Sequence, residues 1–238
     1  MNHLVSELGA EIYHRAAHAL YRYKSRREKF LDIYKRNGFG GQESISGPGS
    51  SLLQTRAIRR ELPALLKGLH VCSLLDAPCG DFHWMKELDP DVDRYVGADI
   101  VPDLIETNQA LYGNSRRQFI VSDITRDPVP SFDLILCRDC FIHLSFKDIR
   151  RVLRNFHRSR STYLLTTTFT ELLHNRNIVT GRVRPVNLRK APFNFPQPLK
   201  IINEECMEQG GEYPDKSLGL WKIDEALLRF GERRDIYG

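Results

Sequence analysis

Between residues 73 and 169 the chain alternates short apolar runs with amphipathic stretches, and three of the runs stop at an aspartate. Runs this short, bounded by turn residues, read as buried strands. They fall at residues 73–76 (SLLD), 94–99 (RYVGAD), 118–123 (QFIVSD), 132–137 (FDLILC) and 162–169 (TYLLTTTF). Helical patterns occupy 84–88, 102–112 and 145–158, the last opening on the capping-box pattern Ser145-Phe146-Lys147-Asp148. Parallel strands need a crossover between them, so strands alternating with helices imply an α/β, doubly wound, mostly parallel sheet with helices on both faces. Residues 199–203 and 217–223, joined through GGEYPD, read as an antiparallel hairpin at one edge, which makes seven strands. Ligands of such sheets bind outside the carboxyl ends of the strands, where the strand order reverses.

The segments around this alternation are of different character. Residues 11–34 carry apolar positions at helical spacing (Ile12, Ala16, Leu20, Tyr23, Phe30, Tyr34), with Arg15, Arg22, Arg26 and Lys29 on another face and an Asn37-Gly38 stop. This reads as one amphipathic helix, either packed on the domain with a solvated basic side or meeting a membrane surface or partner. The protein's net charge of +5 lies wholly here: residues 11–36 hold eight basic and three acidic side chains, leaving 27 of each sign elsewhere. The basic pI is therefore no argument for a nucleic-acid partner. Residues 38–55, containing SGPGS, form a glycine- and serine-rich linker or lid leading into a helix near Ser50 or Ser51. The expected organisation is an N-terminal helical extension and lid over 1–68, then a ligand-binding domain over 69–238 with an insertion at 170–198.

Cysteine usage and hydropathy narrow the setting. The odd set of five cysteines lacks disulfide-framework spacing, the N-terminus has early acids and no apolar signal core, and no run approaches the ~18 apolar residues of a membrane span. A cytoplasmic protein is expected. Cys137 and Cys140 have the spacing of a metal or redox pair, but no second pair matches them, so a strand end explains them better than zinc, and no metal is expected.

The strand ends carry the chemistry. Asp76 closes the first strand and a turn at Gly80 follows; Asp99 closes the second, Asp123 the third, and Arg138-Asp139 follow the fourth. A nucleoside laid across these ends needs backbone approach at a glycine, an acceptor pair for ribose hydroxyls and an acceptor for the adenine amine. The alternative is that the acids only cap loops and helices. A dinucleotide would want G-x-G-x-x-G opening a helix. Here the turn is Ala77-Pro78-Cys79-Gly80-Asp81-Phe82, with one glycine flanked by acids. Negative charge there repels a pyrophosphate but suits a sulfonium and an ammonium, which favours S-adenosylmethionine.

The ordered set LLDAPCGD, YVGADI, VSDIT and FDLILCRDCFIHLS resembles the class I S-adenosylmethionine-dependent methyltransferases over about 100 residues. Together with SGPGSSLLQT and the stretch from FNFPQP to GLW, the DAPCGD turn resembles a bacterial branch with some members associated with glycan and capsule modification. Pro78 and Phe82 stand where the common D-x-G-x-G-x-G pattern has glycines. The resemblance implies a Rossmann-like methyltransferase fold in which Gly80, with Ala77 and Cys79, approaches the methionine part of the donor and Asp76 holds its ammonium. It implies Asp99 on the ribose with Ile100 against adenine, Asp123 on the adenine amine with Ile124 beside it, and Arg138 and Asp139 facing the methyl group and acceptor.

Alignment and desolvation supply most of the rate of an in-line methyl transfer; a base is needed only where the acceptor loses a proton. Asp139 and His143 are the catalytic candidates, His143 suited to a hydroxyl proton or else a structural histidine on a turn. His83 and Trp84 are candidate pocket residues, with Trp84 alternatively in the core. Substrate choice is expected from 170–198 and the SGPGS lid: Asn175, Arg176, Arg182, Arg184, Asn187 and Asn194 as donors, Phe193 and Phe195 stacking on a sugar ring, or all of these forming a polar excursion anchored by the two phenylalanines. The expected activity is O-methylation of a small polar acceptor such as a sugar, nucleotide-sugar or glycan intermediate. The alternatives are N- or carboxyl-methylation of a metabolite, and a basic-helix module binding nucleic acid or a membrane surface on a vestigial fold.

Overall fold

The computed structural model describes residue 21 and residues 23–226. Its elements are α1 (Arg26–Lys35), α2 (Arg56–Gly68), β1 (Ser73–Asp76), α3 (Met85–Leu88), β2 (Arg94–Asp99), α4 (Pro102–Tyr112), β3 (Arg117–Val121), β4 (Leu134–Cys137), α5 (Phe146–Ser159), β5 (Tyr163–Phe169), β6 (Lys200–Asn203) and β7 (Lys216–Lys222). The sheet order is β3-β2-β1-β4-β5-β7-β6. The first five strands run parallel, and β7 pairs antiparallel with both β5 and β6. This is the seven-stranded, mostly parallel, doubly wound sheet expected, with the β6–β7 hairpin at one edge.

Strand periodicity sorts the core into two layers. Leu75, Ile135, Cys137 and Leu164 point to one face, where they join Ile149, Val152, Leu153 and Phe156 of α5. Their sequence neighbours Leu74, Leu134, Leu136 and Leu165 point to the other, against Ile58, Leu62, Leu65 and Leu66 of α2. Successive side chains of a strand face opposite ways, so a strand covered on both sides must be apolar throughout, as β4 is. Each such side chain contributes about 1.5–3 kcal/mol on burial.

Four local expectations change. The helix predicted over 11–34 lies partly outside the described residues; within them it does not run through, because Ser25 interrupts it and caps α1 by accepting from Glu28 N while the Glu28 carboxylate accepts from Ser25 N. The helix predicted from Ser50 or Ser51 starts at Arg56, after a 3-10 turn over Pro48–Ser50. The Ser145 capping box is half formed: Ser145 caps Asp148 N, but the Asp148 carboxylate accepts from Thr180 at 2.7 Å and pairs with Arg26 and Arg151. The edge strand β3 stops at Val121, leaving Asp123 in the loop beyond it.

Residues 170–198 hold little regular structure yet are firmly tied. Val186, Leu188, Phe193 and Phe195 are all buried in the core of the α5 face. Arg184, 2% exposed, donates to the Phe141, Leu144 and Arg176 carbonyls. Asn175 and Asn187 close the loop through backbone groups. All five cysteines are free thiols, and among the described residues no helix is long and apolar enough to cross a membrane.

Candidate active site

The strand order reverses between β1 and β4, and a cavity opens at that point, beyond the carboxyl ends of β1–β4. Of the residues predicted for the site, Asp76, Cys79, Gly80, Asp99, Ile100, Asp123, Ile124, Arg138, Asp139 and His143 all line it. Ala77 does not: it is fully buried in the core and its N–H bonds the Leu136 carbonyl, so it continues the sheet where the turn was expected to begin.

Asp76 and Asp99 form the floor. Asp76 is 3% exposed and accepts from the Tyr95 hydroxyl at 2.6 Å. Burial drives its carboxyl up to about 7, the Tyr95 hydroxyl offsetting only part of that. Asp99 accepts from Gly80 N at 3.3 Å and Val101 N at 3.1 Å, and burial raises it to about 6 against those two bonds. Neither has an ion-pair partner among the described residues. Arg138 offsets part of the cost for Asp76, but neither carboxyl is ion-paired, and buried carboxylates held this way are candidates to receive the cations and hydroxyls of a ligand.

The turn between them is shaped by contact with the lid. Gly80 has φ +55°, and a Cβ there would lie 2.3 Å from Ser46 Oγ, so both conformation and space exclude a side chain. Phe82 takes the left-handed conformation that a glycine would, at φ +58°. Its ring is 1% exposed and packs on Tyr95, Tyr112 and Phe119 with centroids 5.1–5.4 Å apart. Burying a phenylalanine outweighs the backbone strain of about 1–2 kcal/mol.

Asp123, expected to receive an adenine amine, already has partners. It accepts from Thr125 and pairs with Arg26 of α1 at 2.9 Å, and although burial opposes ionisation, Arg26 and Thr125 hold the carboxyl below its usual range. Arg26 also reaches Asp148 at 3.3 Å, and Lys29 is buried. Two residues assigned to the solvated basic side of the N-terminal helix thus turn inward, and Arg26, Phe30 and Tyr34 line the cavity.

Behind β4 lies a buried charge network. Arg138 pairs with Glu204 at 2.7 Å and Asp139 at 3.4 Å; Lys216 pairs with Asp139 at 2.9 Å, Glu208 at 3.0 Å and Glu204 at 3.7 Å. Burial opposes ionisation of Asp139, but Arg138 and Lys216 overcome it and hold the carboxyl far below the usual range. Such a carboxylate is a weak base. Arg138 also donates to the Gly49 carbonyl, and Gly49 sits on the network so closely that a Cβ would lie 2.9 Å from Glu208 Oε1.

His143 is the better base. Its Nδ1 lies 3.2 Å from the Arg182 carbonyl, which can only accept, so in the neutral ring the proton sits on Nδ1 and Nε2 is left as an acceptor. Burial lowers its pKa, with Asp139 and the Arg182 carbonyl opposing, so the ring is neutral at pH 7. Phe39 packs against it at 4.8 Å between centroids.

The remaining expectations divide. Trp84 is 7% exposed and lines the cavity, whereas His83 turns away to Glu43 at 2.9 Å. Phe193 and Phe195 are edge-on to Phe146 and Trp221 in the core, not available to stack on a sugar. No residue of 170–198 lines the cavity; its outer wall comes from 26–50, through Arg26, Phe30, Tyr34, Phe39, Ile45, Ser46 and Ser50. Sequence reasoning missed Phe39 and Ile45, whose only signal is proximity to the SGPGS lid, and gave Phe30 and Tyr34 only as the apolar face of the N-terminal helix. The lid is held by Asp81, which accepts from Ser44 Oγ at 2.8 Å and Ile45 N at 3.0 Å. Among the described residues no cluster of three His, Cys, Asp or Glu is placed to hold a metal.

Residues 74–161 match the sequence family described as "Methyltransferase domain". The fold is shared with solved structures of low identity. NodS, an N-methyltransferase from Bradyrhizobium japonicum WM9 in complex with S-adenosyl-L-homocysteine, aligns over 81% of this chain and 97% of its own at 16% identity and TM-score 0.59. Human N-acetylserotonin methyltransferase aligns over 84% and 60% at 13% identity and TM-score 0.56. Phosphoethanolamine N-methyltransferase 1 of Haemonchus contortus aligns over 87% and 53% at 12% identity and TM-score 0.55. The chain thus spans less than two thirds of the human and Haemonchus proteins. No curated protein matches it.

The fold is the Rossmann-like one that these solved methyltransferases share, and the stretch that matches the methyltransferase family holds β1 to β4 and α5. The two carboxyls buried at the β1 and β2 ends, neither in an ion pair among the described residues, have the chemistry to receive a ligand bearing cationic and hydroxyl groups. The acceptor is specified by neither fold nor matched stretch.

Proposed function

We propose that the protein transfers a methyl group from S-adenosylmethionine to a hydroxyl of a small polar acceptor, such as a sugar or glycan intermediate. The reading is supported above all by one juxtaposition: Asp76 and Asp99 face the same cavity as His143, a neutral imidazole with one ring nitrogen left as acceptor. In this reading Asp99 accepts from the ribose hydroxyls, Asp76 from the ammonium, Gly80 admits the methionine backbone, and Ile100 and Ile124 pack on adenine. When bound, the donor supplies a sulfonium-linked methyl group open to in-line displacement. His143 accepts the hydroxyl proton at Nε2 and later returns it to solvent. Asp139 is then a fixed negative charge that favours the imidazolium, and it moves no proton itself. Closure by α1 and the lid keeps water from the acceptor oxygen.

Calorimetry with S-adenosylhomocysteine should give micromolar binding at pH 8. Asp99→Ala should weaken it by at least about 100-fold, because a buried acceptor pair is lost. His143→Ala should leave that binding within about threefold while abolishing transfer of a labelled methyl group to a hydroxyl acceptor. Binding unaffected by Asp99→Ala would overturn the donor assignment, and full turnover by His143→Ala the base.

A further inference from the structure

The charges around the cavity are unevenly satisfied. Five carboxylates (Asp76, Asp81, Asp99, Asp123, Asp139) and two cations (Arg26, Arg138) line it among the described residues, a formal balance of 2 − 5 = −3. Both cations are already engaged: Arg26 by Asp123 and Asp148, Arg138 by Glu204 and Asp139. Lys216, behind them, is held by Asp139 and Glu208. A phosphate or carboxylate on an acceptor would have to take an arginine from a protein carboxylate, leaving that carboxylate buried and unpaired. Beside His143 the lining offers aromatic rings together with the already paired Asp139. Phe30, Tyr34 and Phe39 line the cavity from α1 and the loop after it, with Phe39 in ring contact with His143.

We propose that the acceptor is an uncharged hydroxylated ring, a neutral carbohydrate or an aryl alcohol, stacked on Phe39, and that anionic acceptors such as sugar phosphates and nucleotide-sugars are rejected. This rests on the reading of the cavity as the methyl-transfer site and narrows the acceptor of that reading. Aromatic rings recognise the C–H face of a sugar and the π face of an arene alike. Complementarity of charge sets which partners are excluded.

The test uses the full chain, first titrated with S-adenosylhomocysteine and then saturated with it. Binding of methyl β-glucoside, phenyl β-glucoside, catechol, glucose 6-phosphate and UDP-glucose is measured by calorimetry or ligand-observed NMR. At least one neutral ring should bind about tenfold or more tightly than either anionic sugar. Phe39→Leu, which keeps an apolar side chain for folding, should weaken that neutral ring several-fold and leave S-adenosylhomocysteine binding within about twofold. A preference for methyl β-glucoside identifies a carbohydrate, and a preference for catechol or the phenyl glycoside an aryl ring. Equal or tighter binding of an anionic sugar overturns the proposal, as does failure of all three neutral rings on protein that binds S-adenosylhomocysteine. Failure to bind S-adenosylhomocysteine itself overturns the functional reading beneath it.

Discussion

Two segments outside the sheet, 170–198 and 25–50 with its helix α1, are held mainly by different kinds of contact. The segment over 170–198 is fastened by apolar anchors, Val186, Leu188, Phe193 and Phe195, and by Arg184 tying three backbone carbonyls. The segment over 25–50 is fastened by charge and hydroxyl contacts: Arg26 to Asp123 and Asp148, Asp81 to Ser44 and Ile45, Arg138 to Gly49. The first is part of the core and the second is the wall of the site. A segment that must admit a ligand is better tied by contacts that water can replace than by buried rings, whose exposure has a large and unconditional cost.

That contrast can be broken experimentally. The largest effect is expected from Phe193→Ala, which should lower unfolding free energy by about 3–5 kcal/mol in urea titration while leaving S-adenosylhomocysteine affinity within about twofold. A ligand-affinity loss exceeding the stability loss would return 170–198 to the site. Asp81→Ala should cost about 1.5–3 kcal/mol locally, read as faster hydrogen exchange at Ile45 and Ser46 with little change in the sheet.

Acidity should separate floor from cap next. Asp76 and Asp99 have folded values of about 7 and about 6, raised above those of the unfolded chain. Between pH 8 and 5.5 they take up protons more readily folded than unfolded, so their contribution to free-protein stability rises as pH falls. The ligand needs both as ionised acceptors, so S-adenosylhomocysteine affinity should fall by at least about tenfold over the same interval. Parallel movement of stability and affinity would break the assignment. The smallest effect is expected from Arg26→Ala: about 1 kcal/mol in stability, since the pair is partly exposed, with faster ligand dissociation in stopped flow. Unchanged dissociation would remove α1 from the closure of the site.

The strands, their helices and the acids at the strand ends were legible in residues because burial on two faces and parallel crossover leave little freedom. Ser73 to Asp76 reads as a buried strand, with Gly80 in the turn after it and Asp99 and Ile100 at the end of the next. The role of 170–198 was not legible: Arg184 and Phe193 look alike in sequence whether they meet a substrate or the core. Nor was Phe39, a single aromatic residue in a glycine-rich stretch, recognisable as a neighbour of His143, 104 positions on.

The chain by itself therefore determined the alternation of strands and helices and the acids at the carboxyl ends of β1 and β2, since both follow from local apolar periodicity and the direction of parallel strands. Tertiary structure alone decided what those acids face and what closes over them. Asp123 receives Arg26, Lys216 from β7 joins Arg138 in holding Asp139 ionised, and Arg26 and Lys29 turn inward while Arg27, Lys35 and Arg36 stay exposed. The Arg26 and Lys216 pairings join distant segments, set by how opposite charges are brought together under burial, and no spacing in the sequence encodes them.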